Sequence, residues 1–234
     1  MTFARRLVAE GLGTAFLLAV VVGSGIMGER LAGGNGAIAL LANAVATGAG
    51  LLALILMLGT ISGAHFNPVV TLSETWQKNM PAAEALPYIA AQLAGAFAGV
   101  AAAHAMFGEP VFFASLHVRT GAAQWWSEFV AAFGLLGVII GCSRSRPAVT
   151  PFAVAAYITA AYWFTASTSF ANPAVTLARS ASNTFAGIRP VDTPGFIIAQ
   201  LLGAAAATLV FCWLYSAPPR DATVAGTVAP SDFA

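Results

Sequence analysis

Two segments of the chain echo one another: His65-Phe66-Asn67-Pro68-Val69-Val70-Thr71-Leu72 and Ser169-Phe170-Ala171-Asn172-Pro173-Ala174-Val175-Thr176-Leu177. In each, an asparagine stands where it can cap a helix, and a proline follows at the first helical position, where its missing N–H costs nothing. Two related helix starts in corresponding halves of an apolar chain point to a solute site built from half-helix N-termini at the bilayer midplane. The chemistry offered is hydrogen bonding to a solute rather than bond making. No Cys-His or Ser-His-Asp arrangement, phosphate loop or metal-spaced cluster lies outside the apolar stretches, so neither an enzyme nor a metal or other cofactor is expected. Cys142 and Cys212 fall inside apolar runs and read as small buried hydrophobes.

Glu10 and Glu128 are the other groups with chemical potential, and an ionisable residue inside a span by default suggests function. Their matched placement, each early in the first span of a half, suggests a shared structural duty instead. Each carboxylate is expected to accept from backbone N–H groups of a nearby re-entrant loop.

The elements that position these groups follow from composition. Of 234 residues, 59% are hydrophobic and only 8% charged, which places most of the surface against lipid. The net charge of +1 comes with no basic patch, so nucleic acid is not a partner. Six apolar spans are predicted, at about Phe3 to Met27, Ala37 to Leu58, Ala83 to Met106, Gln124 to Cys142, Pro151 to Ser167 and Thr193 to Tyr215. The first is read as a retained span rather than a cleaved signal. Asn67 to Gln77 and Asn172 to Ala181 are too short to cross and fit re-entrant half-helices.

The fold class is therefore an all-α membrane protein with six transmembrane helices and two re-entrant half-helices. Ala91-Gln92-Leu93-Ala94-Gly95-Ala96 answers Ala199-Gln200-Leu201-Leu202-Gly203-Ala204, so the order Glu, Asn-Pro, Ala-Gln-Leu occurs twice. Three spans per copy is an odd number, which inverts the second repeat (about 124–216) relative to the first (about 3–106). The excess of Lys and Arg, with Arg144-Ser145-Arg146 its best part, puts both termini in the cytoplasm. Residues 217–234 read as a disordered cytoplasmic tail following a channel domain over 1–216.

These features, with the Glu10/Gly13/Thr14 opening and Ser62-Gly63-Ala64-His65 before the first box, resemble the aquaporin and glycerol-channel family, the major intrinsic proteins. The resemblance covers all but the tail. It implies a homotetramer in the lipid bilayer, one pore per subunit, passing small neutral solutes. At the midplane, Asn67 and Asn172 would donate to a permeating oxygen, with two partial positive helix ends opposing cations. Pro68 and Pro173 would stack where the half-helices abut, beside Val69 and Ala174. Val69 departs from the alanine usual in the first box.

The larger departure is Val175, which stands where water channels of this family carry the arginine of their outer constriction. Family offsets put the other constriction positions at Thr47, Ala160 and Ser169. A ring without cation or aromatic predicts a wide, weakly polar filter for neutral solutes larger than water. A bacterial inner-membrane branch with this valine is associated with arsenic resistance, and the resemblance implies metalloid hydroxides such as arsenous acid, or methylated arsenicals, beside water and glycerol. Arg179, one turn beyond Val175, is expected to snorkel to the interface or pair within the outer loop; leaning into the mouth, it would displace the filter outward. His65 is expected to line the pore without gating it, and His104 and His117 to be a helix-end and a loop histidine. Trp125, Trp126, Trp213 and Tyr215 read as interfacial anchors. An ion-coupled secondary transporter and a plain water channel are the alternatives.

Overall fold

The computed structural model describes residues 1–216; the predicted tail lies outside the described residues. The expected all-α architecture is present: α1 (Phe3–Leu31), α2 (Gly36–Ser62), α3 (Pro68–Trp76), α4 (Ala82–Phe107), α5 (Ala122–Ser145), α6 (Thr150–Phe164), α7 (Pro173–Arg179) and α8 (Thr193–Leu214). Five of these are long and apolar enough to cross a membrane. The sixth span, α6, has only 15 residues and is lengthened at its start by the 3-10 turn Pro147–Val149. The half-helices α3 and α7 begin at Pro68 and Pro173, each capped by the preceding asparagine.

Packing repeats the sequence echo. In the first half α1 packs on α2 and α4, in the second α5 packs on α6 and α8, and α2 meets α6 across the halves. The backbones of α1 and α4 come so close that a Cβ at Gly95 would collide with the Gly11 carbonyl. Gly203 of α8 makes the equivalent approach to the Phe129 carbonyl of α5. In lipid, where apolar burial drives little association, such close backbone contact is what holds helices together. The predicted anchors Trp125, Trp126, Trp213 and Tyr215 are all exposed.

The non-helical entries to the half-helices require backbone conformations that side chains rarely adopt. Ala64, Phe66, Thr168, Ser169 and Ala171 all have φ between 48° and 61°. Such residues cost of order 1–3 kcal/mol each and persist only where the surroundings fix them.

Gly95→Val and Gly203→Val should each destabilise the bundle by about 1–3 kcal/mol through overpacking. Gly36→Ala, at a position with nothing within 4 Å, should not. Thermal unfolding in mild detergent checks this, and an unchanged melting temperature for the valine variants would refute the tight crossing.

Candidate functional site

The two loops that carry the helix starts hang on the two glutamates. Glu10 accepts from the backbone N–H of His65 at 3.0 Å and of Phe66 at 2.8 Å, from Ser62 Oγ at 2.7 Å and from Gln92 Nε2 at 2.8 Å. Glu128 accepts from the backbone N–H of Phe170 at 2.9 Å and of Ala171 at 2.8 Å, and from Gln200 Nε2 at 2.6 Å. Both acids are fully buried. Gln92 and Gln200 also donate to Thr71 and Thr176, whose hydroxyls bond back to the Asn67 and Asn172 carbonyls.

Each asparagine then does three things. Its Oδ1 accepts from the first free N–H of its own half-helix, at Val69 and at Ala174. Its Nδ2 donates across the molecular centre, from Asn67 to the Ala171 carbonyl and from Asn172 to the Phe66 carbonyl, both at 2.8 Å. An amide nitrogen has two hydrogens, so one on each remains for a solute. Pro68, Val69, Pro173 and Ala174 are buried behind the asparagines and do not reach the cavity wall.

That wall bounds a cavity of about 270 Å³ that passes both Asn67 and Asn172. Toward the Arg6 and Arg144 end it is lined by His65, Glu74, Ser143 and Thr150; His65 lies half-buried with Nδ1 3.1 Å from Thr71 Oγ1. Toward the Arg119 end the wall includes Thr47, Tyr162, Ser169, Phe170, Val175 and Arg179. Backbone carbonyls of Gly63, Ala64, His65, Ser169 and Phe170 accept no protein hydrogen bond among the described residues, and all five residues line the cavity. Acceptors from both loops thus share one cavity with the two amide donors.

Ala160 does not belong to this wall. It is exposed on the outer side of α6, while Val154, Ile158 and Tyr162, spaced four apart, face the cavity. Two residues of register on a helix is about 200°, so the offset error carried the position to the opposite face. Tyr162 stands on the wall two residues further along, donating from its hydroxyl to Thr47 Oγ1 at 3.2 Å.

Arg179 does not snorkel, and among the described residues it forms no ion pair. It is 2% exposed, bonded through Nε to the Ala186 carbonyl, with its guanidinium 3.4 Å from the Phe170 ring centroid. Two further residues stand at this end, Arg119 without a sequence signal and His104 where a helix-end histidine was expected. Arg119 reaches back from the connection before α5 to the Gly187 and Ser167 carbonyls and lies 5.0 Å from the same ring. His104 is fully buried, joining the Val111 carbonyl to Ser182 Oγ at 2.8 Å each, and so staples two connecting loops together. A lone histidine near the end of an apolar span is the hint the sequence offers for it.

A family model described as "Major intrinsic protein" matches residues 1–151. The chain is 56% identical over 210 residues, 90% of each chain, to the aquaglyceroporin AqpS of Rhizobium meliloti (strain 1021). It is 36% identical over 151 residues to aquaporin NIP1-4 of Oryza sativa subsp. japonica, covering 63% of this chain and 54% of that one. In fold it resembles the X-ray structure of the aquaglyceroporin from Plasmodium falciparum, with a TM-score of 0.66 at 19% identity over 92% of this chain and 96% of the other. Matched over nine-tenths of its length by one such relative and over residues 1–151 by the family model, the chain belongs to the major intrinsic proteins, a family of channels and not of enzymes.

Proposed function

We propose that the chain is a passive, bidirectional channel for small neutral solutes, passing water and glycerol and, through its wide filter, metalloid hydroxides or methylated arsenicals. The observation that carries this reading is the continuous cavity past Asn67 and Asn172 with Val175 on its wall. A valine there leaves the solute path wider and less charged than an arginine would. The aquaglyceroporin name of the relative at 56% identity supports glycerol as one cargo. The filter in this reading is Thr47, Ser169 and Val175, with Tyr162 in place of Ala160.

Against an ion-coupled transporter, Glu10 and Glu128 are engaged by backbone and glutamine donors away from the cavity wall, and the one acid on that wall, Glu74, accepts from Asn79 Nδ2, which supports the channel reading. The broad lipid-facing surface, with Leu12, Phe16, Leu41, Val45 and Leu209 exposed, supports a multi-pass protein of the bacterial inner membrane. Homotetrameric assembly and cytoplasmic termini belong to the same reading, with the Arg6 and Arg144 end inside.

Stopped-flow light scattering on proteoliposomes tests it. The native protein should pass water, glycerol and arsenous acid. Val175→Arg should lower glycerol and arsenous acid permeability by about tenfold, roughly 1.4 kcal/mol of barrier, and water much less; equal loss for all three would refute the wide filter. Asn67→Asp and Asn172→Asp each replace the crossing donor with a negative charge, and solute flux should fall by about tenfold or more from that change in charge and hydrogen bonding. Undiminished flux in both would show that the conducting path runs elsewhere.

A further inference from the structure

Arg179 ends α7 one turn beyond Val175 and is buried in the wall of the cavity. Of its five N–H donors, only Nε–H has a protein acceptor among the described residues, the Ala186 carbonyl. No carboxylate pairs with it there. A buried charge with four idle donors is costly unless water reaches it. Neither terminal nitrogen is sealed off as a buried atom without a partner, so the group meets solvent, and the space it lines is the cavity. Thr47 and Tyr162, joined hydroxyl to hydroxyl, contribute from α2 and α6.

The arginine is also aimed. Its guanidinium lies over Phe170, which meets Phe196 edge-on at 5.2 Å and has Arg119 on it as well. Phe170 is itself fixed by its N–H bond to Glu128. Stacking on Phe170 and the Ala186 bond hold the guanidinium in the cavity wall, with neither terminal nitrogen given a protein acceptor among the described residues.

We infer that Arg179 is the specificity-determining cation of this pore, a filter arginine set one helical turn outward from Val175. Together with the Thr47 hydroxyl it donates to the oxygens of a passing polyhydroxy solute and repels protons and other cations. The inference rests on the channel reading. It adds that the filter is displaced, not lost: Val175 widens the inner part of the path while Arg179 guards the outer part. A solute with several acceptor oxygens, such as glycerol, should be favoured over donor-rich urea.

Proteoliposomes holding a trapped pH-sensitive dye report proton leak under a voltage clamp of potassium and valinomycin, and stopped flow gives the glycerol-to-urea permeability ratio. Native protein should leak no more than protein-free vesicles. Arg179→Ala should raise the proton leak and lower the ratio, each by about tenfold. Arg179→Lys keeps the charge without the stacked fork, so it should remain proton-tight with a lowered ratio. Moving the guanidinium inward, with Val175→Arg added to Arg179→Ala, should restore tightness. A proton-tight Arg179→Ala with an unchanged ratio overturns the inference and leaves the arginine a brace for its loop. Should Arg179→Ala fail to fold, the Arg179→Lys ratio decides, and an unchanged value overturns it equally. Absence of water and glycerol flux in the native protein would strike the channel reading instead.

Discussion

Within hydrocarbon, every backbone N–H and C=O must find a partner inside the protein or in a water-filled cavity. Two stretches of this chain leave the helix at that depth, and the demand they create organises the rest of the molecule. Glu10 and Glu128 take the N–H groups of each stretch in pairs. With the donors drawn to one side, the carbonyls of residues such as Ala64, His65, Ser169 and Phe170 are left for the cavity. The carboxylates, the left-handed residues and the row of pore acceptors are thus one device. Burying two acids is tolerable because each is matched by several charge-assisted hydrogen bonds, and those bonds hold the strained backbone in place.

The same device is built twice, with residues 105 apart doing the same work. Ser62 and Ser167 accept from the N–H two residues on, Asn67 and Asn172 cap, and Thr71 and Thr176 tie the caps to Gln92 and Gln200. Even the residue three past each asparagine is the same, Val70 and Val175, and both line the cavity. The frame is symmetric, so the difference between the two mouths must come from side chains that the frame merely presents. His65 and Phe170 are such a pair. At one mouth the position offers an imidazole beside Thr71, at the other a phenyl ring that carries two guanidiniums.

What the sequence reveals tracks how local the interaction is. The asparagine caps and helix starts are legible because cap, proline and helix are contiguous, and α3 and α7 begin where the proline predicts. The role of the two glutamates is legible through repetition, since matched positions imply a matched partner. Ala160 is misplaced because α6 opens on a 3-10 turn and has no charged residue to fix its face, so counting along it cannot distinguish the lipid side from the cavity side. Arg179 goes the other way for a related reason. Snorkelling is the sound expectation for an arginine near an interface, but its partners, the Phe170 ring and the Ala186 carbonyl, arrive from a strained loop and from a turn beyond the helix. Neither has a periodic signature.

Those partners bear on what sets the width of the pore. The half-helix α7 spans only seven residues, and Val175 on it is fixed by the Asn172 cap. Arg179 is tied to the Ala186 carbonyl and Arg119 to that of Gly187, adjacent peptides of one connecting loop. That loop is pinned in turn by His104 through Ser182 and by the Arg189–Asp192 pair, whose carboxylate also receives the Arg119 N–H. Val175 is thus governed by a helix cap that recurs in both halves, whereas Arg179 is governed by a connecting loop much longer than the one between α3 and α4. Selectivity at the outer mouth can change through loop residues that never touch the solute, while the midplane, held by two asparagines bonded to each other's loops, stays as it is.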